Sequence, residues 1–187
     1  MAGTRPALLV MDFQHGIVER LGDPSVIDAA DRAVKAARAH DIPVMFVRVA
    51  FRPGYPEVAE SNAPFAAAAK QSGDLMTQEH PATQVHASLE PRASEPVVVK
   101  RRVSAFTGSD LDVLLRGADA GTLVLAGIAT SGVVLSTLRQ AADLDYRLIV
   151  LADACADPDP EVHRVLTEKV FPKQAHVTTA DEWAKGL

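Results

Sequence analysis

Short apolar segments alternate with longer segments of helical period along most of the chain. Five segments are almost continuously apolar and rich in branched residues, and a weaker sixth lies near the C-terminus. They are residues 7–11, 42–49, 96–99, 122–126, 147–151 and 175–178. A strand that is buried on both faces needs apolar side chains at nearly every position, so this pattern predicts the strands of a parallel sheet.

Helical segments follow almost every predicted strand. Residues 25–38 repeat apolar positions at helical spacing behind the helix-start signal Asp23-Pro24. Further helical segments are predicted at residues 109–116, 131–145 and 157–171, and Trp183 is interpreted as packing for a last helix. The alternation predicts an α/β protein with one domain over residues 1–187, an open parallel sheet of about six strands and helices on both faces.

Residues 51–91 break this alternation. The segment contains Pro53, Pro56, Pro64 and Pro81 and an alanine run, ends at Pro91, and shows no clear strand. Long connections of this kind often carry function, so we interpret the segment as an excursion that can cover a pocket.

Composition narrows the class of protein. With 187 residues, 48% hydrophobic, and a net charge of -5, the chain suits one globular domain and offers no broad basic surface for nucleic acid. The N-terminal apolar run is too short for a signal peptide or a membrane span. The single cysteine, Cys155, cannot form an internal disulfide, which suits a reducing compartment. We therefore expect a cytoplasmic protein with a small-molecule partner, no nucleic acid and no membrane.

Three places at the ends of predicted strands are candidates for chemistry, because ligands of such sheets bind outside the carboxyl ends of the strands. They are Asp12, Lys100 and the turn of residues 127–134. A carboxylate and an ammonium near one another stabilise each other's charge while burial opposes both, which gives a pair suited to proton transfer. An alternative stays open at this point, since a strand-end Asp is often a helix cap and a strand-end Lys often plain surface.

At these places the sequence resembles the isochorismatase-like (cysteine hydrolase) superfamily. The motifs that carry the resemblance are Asp12-Phe13-Gln14, Lys100 upstream of Val103-Ser104-Ala105-Phe106, and Gly127-Ile128-Ala129-Thr130 followed by Val134, Thr137 and Ala141. Each motif is weak by itself, but their order and strand context extend over nearly the whole chain. The resemblance implies a three-layer, Rossmann-like hydrolase with Asp12 and Lys100 as catalytic residues.

The usual members attack an amide or nitrile carbon with a cysteine thiolate at a helix N-terminus. The resemblance places Val133 at that catalytic position, and valine is not a nucleophile. Neither Ser131 nor Ser136 is an obvious replacement, because a serine needs a well-placed base. Cys155 lies outside the position, and free cysteines are commonly small buried hydrophobes.

The resemblance also indicates residues that contact substrate. It implies a cis peptide bond between Ile128 and Ala129, and backbone amides of Ala129 and Val133 that face the pocket and bind an oxyanion or carboxylate. We expect the substrate-binding set to be Phe13, Gln14, Phe51, Phe106, Ile128, Ala129 and Thr130. The aromatic members are open to a second interpretation, since aromatics beside strands are often core.

No metal and no cofactor are expected. Some family members bind zinc or iron through an Asp and His cluster after the second strand, but residues 49–56 contain no histidine here. The six histidines show no spacing typical of metal ligands.

Two classes of function remain. The first is an isochorismatase-family hydrolase that acts on a small molecule by acid/base catalysis centred on Asp12, without a cysteine nucleophile. Some family members cleave a vinyl ether in this way, but they have a Tyr-Ala-His turn where this chain has residues 128–131. The alternatives are a non-catalytic binding protein of the same fold and an amidase-type C–N hydrolase that uses another nucleophile. The resemblance further implies a homodimer or homotetramer.

Overall fold

Six parallel strands form one open sheet within residues 5–187, the part of the chain that the computed structural model describes. The strands are β1 (Arg5–Met11), β2 (Val44–Val49), β3 (Val97–Lys100), β4 (Ala120–Ile128), β5 (Arg147–Ala156) and β6 (His176–Thr178). Their order across the sheet is β3-β2-β1-β4-β5-β6. All six predicted strands are confirmed, although β4 and β5 continue beyond the predicted ends.

Helices cover both faces of the sheet, which confirms the predicted α/β class. The helices are α1 (His15–Leu21), α2 (Pro24–Ala39), α3 (Ala63–Ser72), α4 (Leu111–Gly117), α5 (Leu135–Asp143), α6 (Pro160–Val165) and α7 (Ala180–Lys185). The sequence did not predict α1 or α3. Residues 51–91, all of them described, contain α3 and short helical turns but no strand of the sheet, in agreement with the interpretation of this segment as an excursion.

Alternate residues of β1 explain why its sequence is apolar throughout. Leu8 and Val10 pack in the core against α2 and α7, whereas Leu9 and Met11 pack in the core that contains α4 and α5. Since successive side chains of a strand point to opposite faces, both sets must be apolar. Trp183 of α7 is 7% exposed and packs in the first of these cores, as predicted.

Local signals start several helices. The side chain of Asp23 accepts a hydrogen bond from the backbone N–H of Ser25 and caps α2, and Pro24 occupies its first turn. Thr179 and Glu182 form a reciprocal capping box at the start of α7. These caps fix where the chain leaves the sheet.

The helix predicted from residue 131 begins differently in the structure. Residues Thr130–Val134 form one wide π-helical turn, and the regular helix α5 starts at Leu135. Gly127, which precedes this turn in β4, allows a close approach: a Cβ there would lie 3.1 Å from the Met11 carbonyl oxygen and 3.0 Å from a methyl of Val134. The glycine therefore lets the turn pack directly against the end of β1.

No helix within residues 5–187 is long and apolar enough to span a membrane. The first four residues, where the sequence analysis expects no signal peptide, lie outside the described part of the chain.

Candidate active site

Asp12 and Lys100 form a buried ion pair at the carboxyl edge of the sheet. Asp12 directly follows β1, Lys100 ends β3, and β2 lies between these strands. The Lys100 Nζ atom is 2.9 Å from Asp12 Oδ2, and the residues are only 2% and 5% exposed. The two strands are not neighbours, so the long lysine side chain must cross the end of β2 to reach the carboxylate.

Burial and Lys100 act on the pKa of the Asp12 carboxyl in opposite directions. Burial raises the pKa of the Asp12 carboxyl above its usual range, although the charge and hydrogen bond of Lys100 and, to a smaller extent, the backbone N–H of Val49 partly offset this. The Oδ1 atom is buried and has no hydrogen-bond partner within residues 5–187. Lys100 also donates to the backbone oxygen of Arg102 over 3.1 Å. One carboxylate oxygen therefore binds the lysine, and the other has no hydrogen-bond partner among residues 5–187.

Gln14 lies behind this pair and is 2% exposed. Its Oε1 atom accepts from the Val49 backbone N–H at 2.8 Å, and its Nε2 atom donates to the carbonyl oxygens of Val49 and Thr83 at 3.0 Å each. Both donor hydrogens are used, so the amide links the end of β2 to the covering segment, which comprises residues 51–91. The predicted contact of Gln14 with substrate stays a prediction.

The turn after β4 lies at the same carboxyl edge of the sheet as Asp12. The peptide bond between Ile128 and Ala129 is cis, as the resemblance implies. Val133 is 2% exposed and packs in the core on the α5 face. The backbone N–H of Ser131 donates to Asp157 Oδ2 at 2.8 Å, which ties the turn to the segment after β5.

Thr130 is tied to the same segment by a second hydrogen bond. Its fully buried hydroxyl lies 2.8 Å from Nδ1 of His163. Burial lowers the pKa of His163, while the charge of Asp157 opposes this, so the imidazole is neutral at neutral pH. The sequence analysis missed His163 and Asp157, because each lies more than 25 residues from its partner and no spacing links them.

The three candidate phenylalanines are buried but lie in different surroundings. Phe13 is part of the core on the α2 face, and Phe106 belongs to the core on the α5 face, where its ring lies against Tyr146. Phe51 packs against Tyr55 and Phe65 of the covering segment. Packing accounts for all three rings, which the structure does not bring together as one pocket wall.

Two adjoining clefts open beside the turn. The larger, of about 550 Å³, is lined by Ile128 and Ala129 together with residues of α1 and of the segment before α6. The second, of about 440 Å³, includes His163 and Cys155. Asp12 and Lys100 line neither cleft, because both side chains lie beneath the surface.

Cys155 is a poor nucleophile in this environment. It is 4% exposed, and burial raises the pKa of its thiol to about 12. A thiol with so high a pKa is almost entirely protonated at neutral pH and does not attack substrates. Within residues 5–187, no cluster of three or more His, Cys, Asp or Glu side chains is arranged to hold a metal ion. The expectation of a metal-free protein stays a prediction.

The strand order and the helices on both faces define an open-sheet α/β protein with a buried ion pair at the carboxyl edge of the sheet. The sequence profile of the Isochorismatase domain matches residues 6–182, and the chain belongs to this family. It is 34% identical to an uncharacterized isochorismatase family protein, YecD, of Escherichia coli, with 97% of this chain and 95% of that one covered. It is also 34% identical to the ureidoacrylate amidohydrolase RutB of Pseudomonas syringae, with 83% and 72% covered.

Solved structures agree with this assignment. A cysteine hydrolase from Pseudomonas syringae superimposes with a TM-score of 0.87 over 97% of this chain and 91% of that one, at 24% identity, which shows the shared fold. N-carbamoylsarcosine amidase from Thermoplasma acidophilum superimposes with a TM-score of 0.77 at 27% identity, covering 95% of this chain and 98% of that one.

Proposed function

We propose that this chain is a small-molecule hydrolase in which Asp12 carries out proton transfer without a cysteine nucleophile. Membership of the isochorismatase family and the hydrolases among its relatives support the reaction class. The observation that carries the mechanism is the buried Oδ1 atom of Asp12, which has no hydrogen-bond partner among residues 5–187, beside the Lys100 ion pair.

The geometry separates the roles of the two carboxylate oxygens. Lys100 donates to Oδ2, so a proton on Asp12 resides on Oδ1, from which it passes to the leaving group while water attacks the bond to be cleaved and returns a proton to Asp12. The raised pKa of Asp12 increases the fraction of this acid form at neutral pH. Lys100 stabilises the carboxylate that remains after the proton has left. Acid catalysis of this kind typically contributes about 10²–10⁴-fold in rate.

The turn supplies the second part of the proposed site. Backbone amides of Ala129 and Val133 bind developing negative charge on the substrate, and the cleft at Ile128 and Ala129 is the proposed entrance. Val133 occupies the family's nucleophile position, and the buried Cys155 does not replace it. The cytoplasmic location and the homo-oligomeric state stay predictions.

The test compares Asp12→Asn with Asp145→Asn on a panel that includes ureidoacrylate and N-carbamoylsarcosine. Both aspartates have left-handed backbone, with φ of 59° and 64°, and asparagine tolerates this conformation well. We expect Asp12→Asn to lower kcat by about 10²-fold or more with KM within about tenfold, while Asp145→Asn behaves as wild type. Equal turnover by Asp12→Asn would exclude the mechanism. Binding without turnover by the wild type would favour the non-catalytic alternative.

A C–N hydrolase that uses Thr130 is the second candidate. The 2.8 Å separation between the Thr130 hydroxyl and His163 is that of a nucleophile and its base. The complete burial of Thr130 places this candidate second. Thr130→Ser retains a hydroxyl and Thr130→Val does not, so only a nucleophilic role predicts that the serine variant alone keeps activity.

A further inference from the structure

A basic cluster lies at the same sheet edge as Asp12. Its cations are Arg52, Lys100, Arg101 and Arg102, and the carboxylates that face them are Asp12 and Glu57. Four positive side chains thus meet two negative ones in a protein whose net charge is -5. The local excess of positive charge is opposite in sign to the whole molecule and favours an anion at this edge.

Glu57 is already shared by two of these cations. Its Oε1 atom lies 2.6 Å from Arg52 Nη1 and 3.3 Å from Arg101 Nε. Burial opposes ionisation of Glu57, but hydrogen bonds and the charge of Arg101 outweigh it and hold the pKa of the carboxyl below its usual range. Glu57 is therefore ionised, and its carboxylate pairs with Arg52 and Arg101 but not with Arg102.

Arg102 has no carboxylate within ion-pair distance among residues 5–187. Its Nη1 atom donates to the Arg101 backbone oxygen at 2.6 Å, and Nη2 donates to the Glu57 backbone oxygen at 2.8 Å. The side chain is partly buried and pinned by two neutral acceptors. Three of its five N–H groups have no partner within the described residues, so the guanidinium retains both its charge and free donors.

The backbone of Arg102 is linked directly to the proposed chemistry. Lys100 Nζ lies 2.9 Å from Asp12 Oδ2 and 3.1 Å from the Arg102 carbonyl oxygen. A guanidinium that is held in place, partly desolvated and without a counter-ion is well suited to a carboxylate, because planar N–H donors match carboxylate oxygens.

We propose that Arg102 binds a carboxylate group of the substrate, so that the substrates of this enzyme are small carboxylic acids in their anionic form. This inference rests on the proposed function, since it concerns the same site. Arg102 then sets specificity: it holds the anionic end of the molecule while the bond to be cleaved lies at Asp12.

The experiment measures binding of maleate, a small dianion, and of maleamide, its uncharged diamide, by isothermal titration calorimetry. Wild type, Arg102→Gln, Arg102→Lys and Arg147→Gln are compared, with thermal melts to verify folding. Arg147 begins β5 at the opposite edge of the sheet and is exposed, so its variant changes net charge equally without touching the cluster.

We expect Arg102→Gln to weaken maleate binding by about tenfold or more, because charge-assisted hydrogen bonds are lost. Arg102→Lys should fall between Arg102→Gln and wild type, Arg147→Gln should match wild type, and maleamide should bind wild type and Arg102→Gln alike. The proposal is overturned if wild type does not bind maleate at millimolar concentration, if Arg102→Gln binds it as wild type does, or if Arg147→Gln loses as much.

Asp12→Asn separates this proposal from the proposed function. If this variant turns substrates over normally while Arg102→Gln loses maleate, the mechanism fails and the carboxylate site stands. If Asp12→Asn is inactive and Arg102→Gln binds maleate normally, the mechanism stands and the carboxylate site at Arg102 is excluded.

Discussion

Two polar pairs lie at the carboxyl edge of the sheet, one buried and one partly buried, and they differ in which of their polar atoms lack a hydrogen-bond partner. Asp12 and Lys100 form an ion pair in which one carboxylate oxygen has no partner within the described residues. Thr130 and His163 form a neutral hydrogen bond that ties the turn after β4 to the segment after β5. From this comparison we predict that completeness of hydrogen bonding, rather than burial alone, separates the catalytic pair from the pair that supports the structure.

The largest expected loss of stability comes from removing the cation of the Asp12–Lys100 pair. Lys100→Met leaves the Asp12 carboxyl buried without a counter-charge, which should cost about 3–5 kcal/mol of unfolding free energy at neutral pH. Urea denaturation measures this loss. The loss should shrink in acid, where Asp12 is protonated in both variants.

Lys35→Met is the matched control for this prediction, since the Lys35 side chain is 67% exposed and pairs with Asp31 on the surface of α2. Its removal should leave stability nearly unchanged. Similar losses of unfolding free energy for the two lysine variants would contradict a particular contribution of the buried ion pair to stability.

The Gln14 amide has its oxygen and both N–H groups hydrogen-bonded. Replacing Gln14 tests whether a side chain with complete hydrogen bonding stabilises the fold. Gln14→Leu removes the hydrogen-bond partner of the Val49 backbone N–H and one donor from each of the Val49 and Thr83 carbonyl oxygens, which should cost about 1–3 kcal/mol. Denaturation of this variant is compared with Gln71→Leu, an exposed position in α3. Unchanged stability of Gln14→Leu would contradict a stabilising role of the Gln14 amide.

Thr130→Val probes the second pair with little change of volume. Loss of its hydrogen bond to His163 should lower the unfolding free energy by about 1 kcal/mol. If the pair is a support, kcat falls by less than about tenfold, whereas loss of a nucleophile removes nearly all activity. The kinetic result thus distinguishes the two roles even though the stability loss is the same.

The two pairs should respond to pH with opposite signs. Burial lowers the pKa of folded His163, so the unfolded chain takes up the proton first, and stability falls as pH drops below the usual value of about 6.5. The raised pKa of Asp12 contributes stability in acid that is lost as pH rises through that pKa.

Replacing His163 tests the first half of this prediction. His163→Gln should reduce the loss of stability between neutral and mildly acidic pH by at most about 1.4 kcal/mol per pH unit. His86, whose pKa is also lowered by burial and by His15, should keep a share of the effect. His40→Gln, at an exposed position, is the control, and an equal effect there would refute the assignment.

The smallest effect is expected at Cys155. Because burial raises the pKa of its thiol to about 12, iodoacetamide should not modify the folded protein at neutral pH. Mass spectrometry of the treated protein and turnover by Cys155→Ser check this. Rapid alkylation with loss of activity would return a thiol to the mechanism.

Much of the fold was predictable because local patterns encode it. The six strands are buried on both faces, so their apolar runs are visible in the sequence, and the Asp-Pro start signal marks α2. The helix α1 was missed because none of its seven residues is buried, which leaves only a weak apolar pattern. The helix α3 lies within a proline-rich segment and has no buried residue either.

The candidate site was only partly predictable. The positions of Asp12, Lys100 and the turn at Ile128 follow from strand ends and from the family motifs, which are local in sequence. The sequence also determined that valine stands at position 133 and that one cysteine is present.

Tertiary structure alone decided which side chains meet. It brought Lys100 across the end of β2 to Asp12, saturated Gln14 with backbone groups, and joined Thr130 to His163 over 33 residues. Such contacts depend on how distant segments pack, and no local periodicity records them. Whether a polar side chain retains a free oxygen or N–H group is likewise settled only by its neighbours in the folded chain, because hydrogen-bond partners come from any part of the sequence.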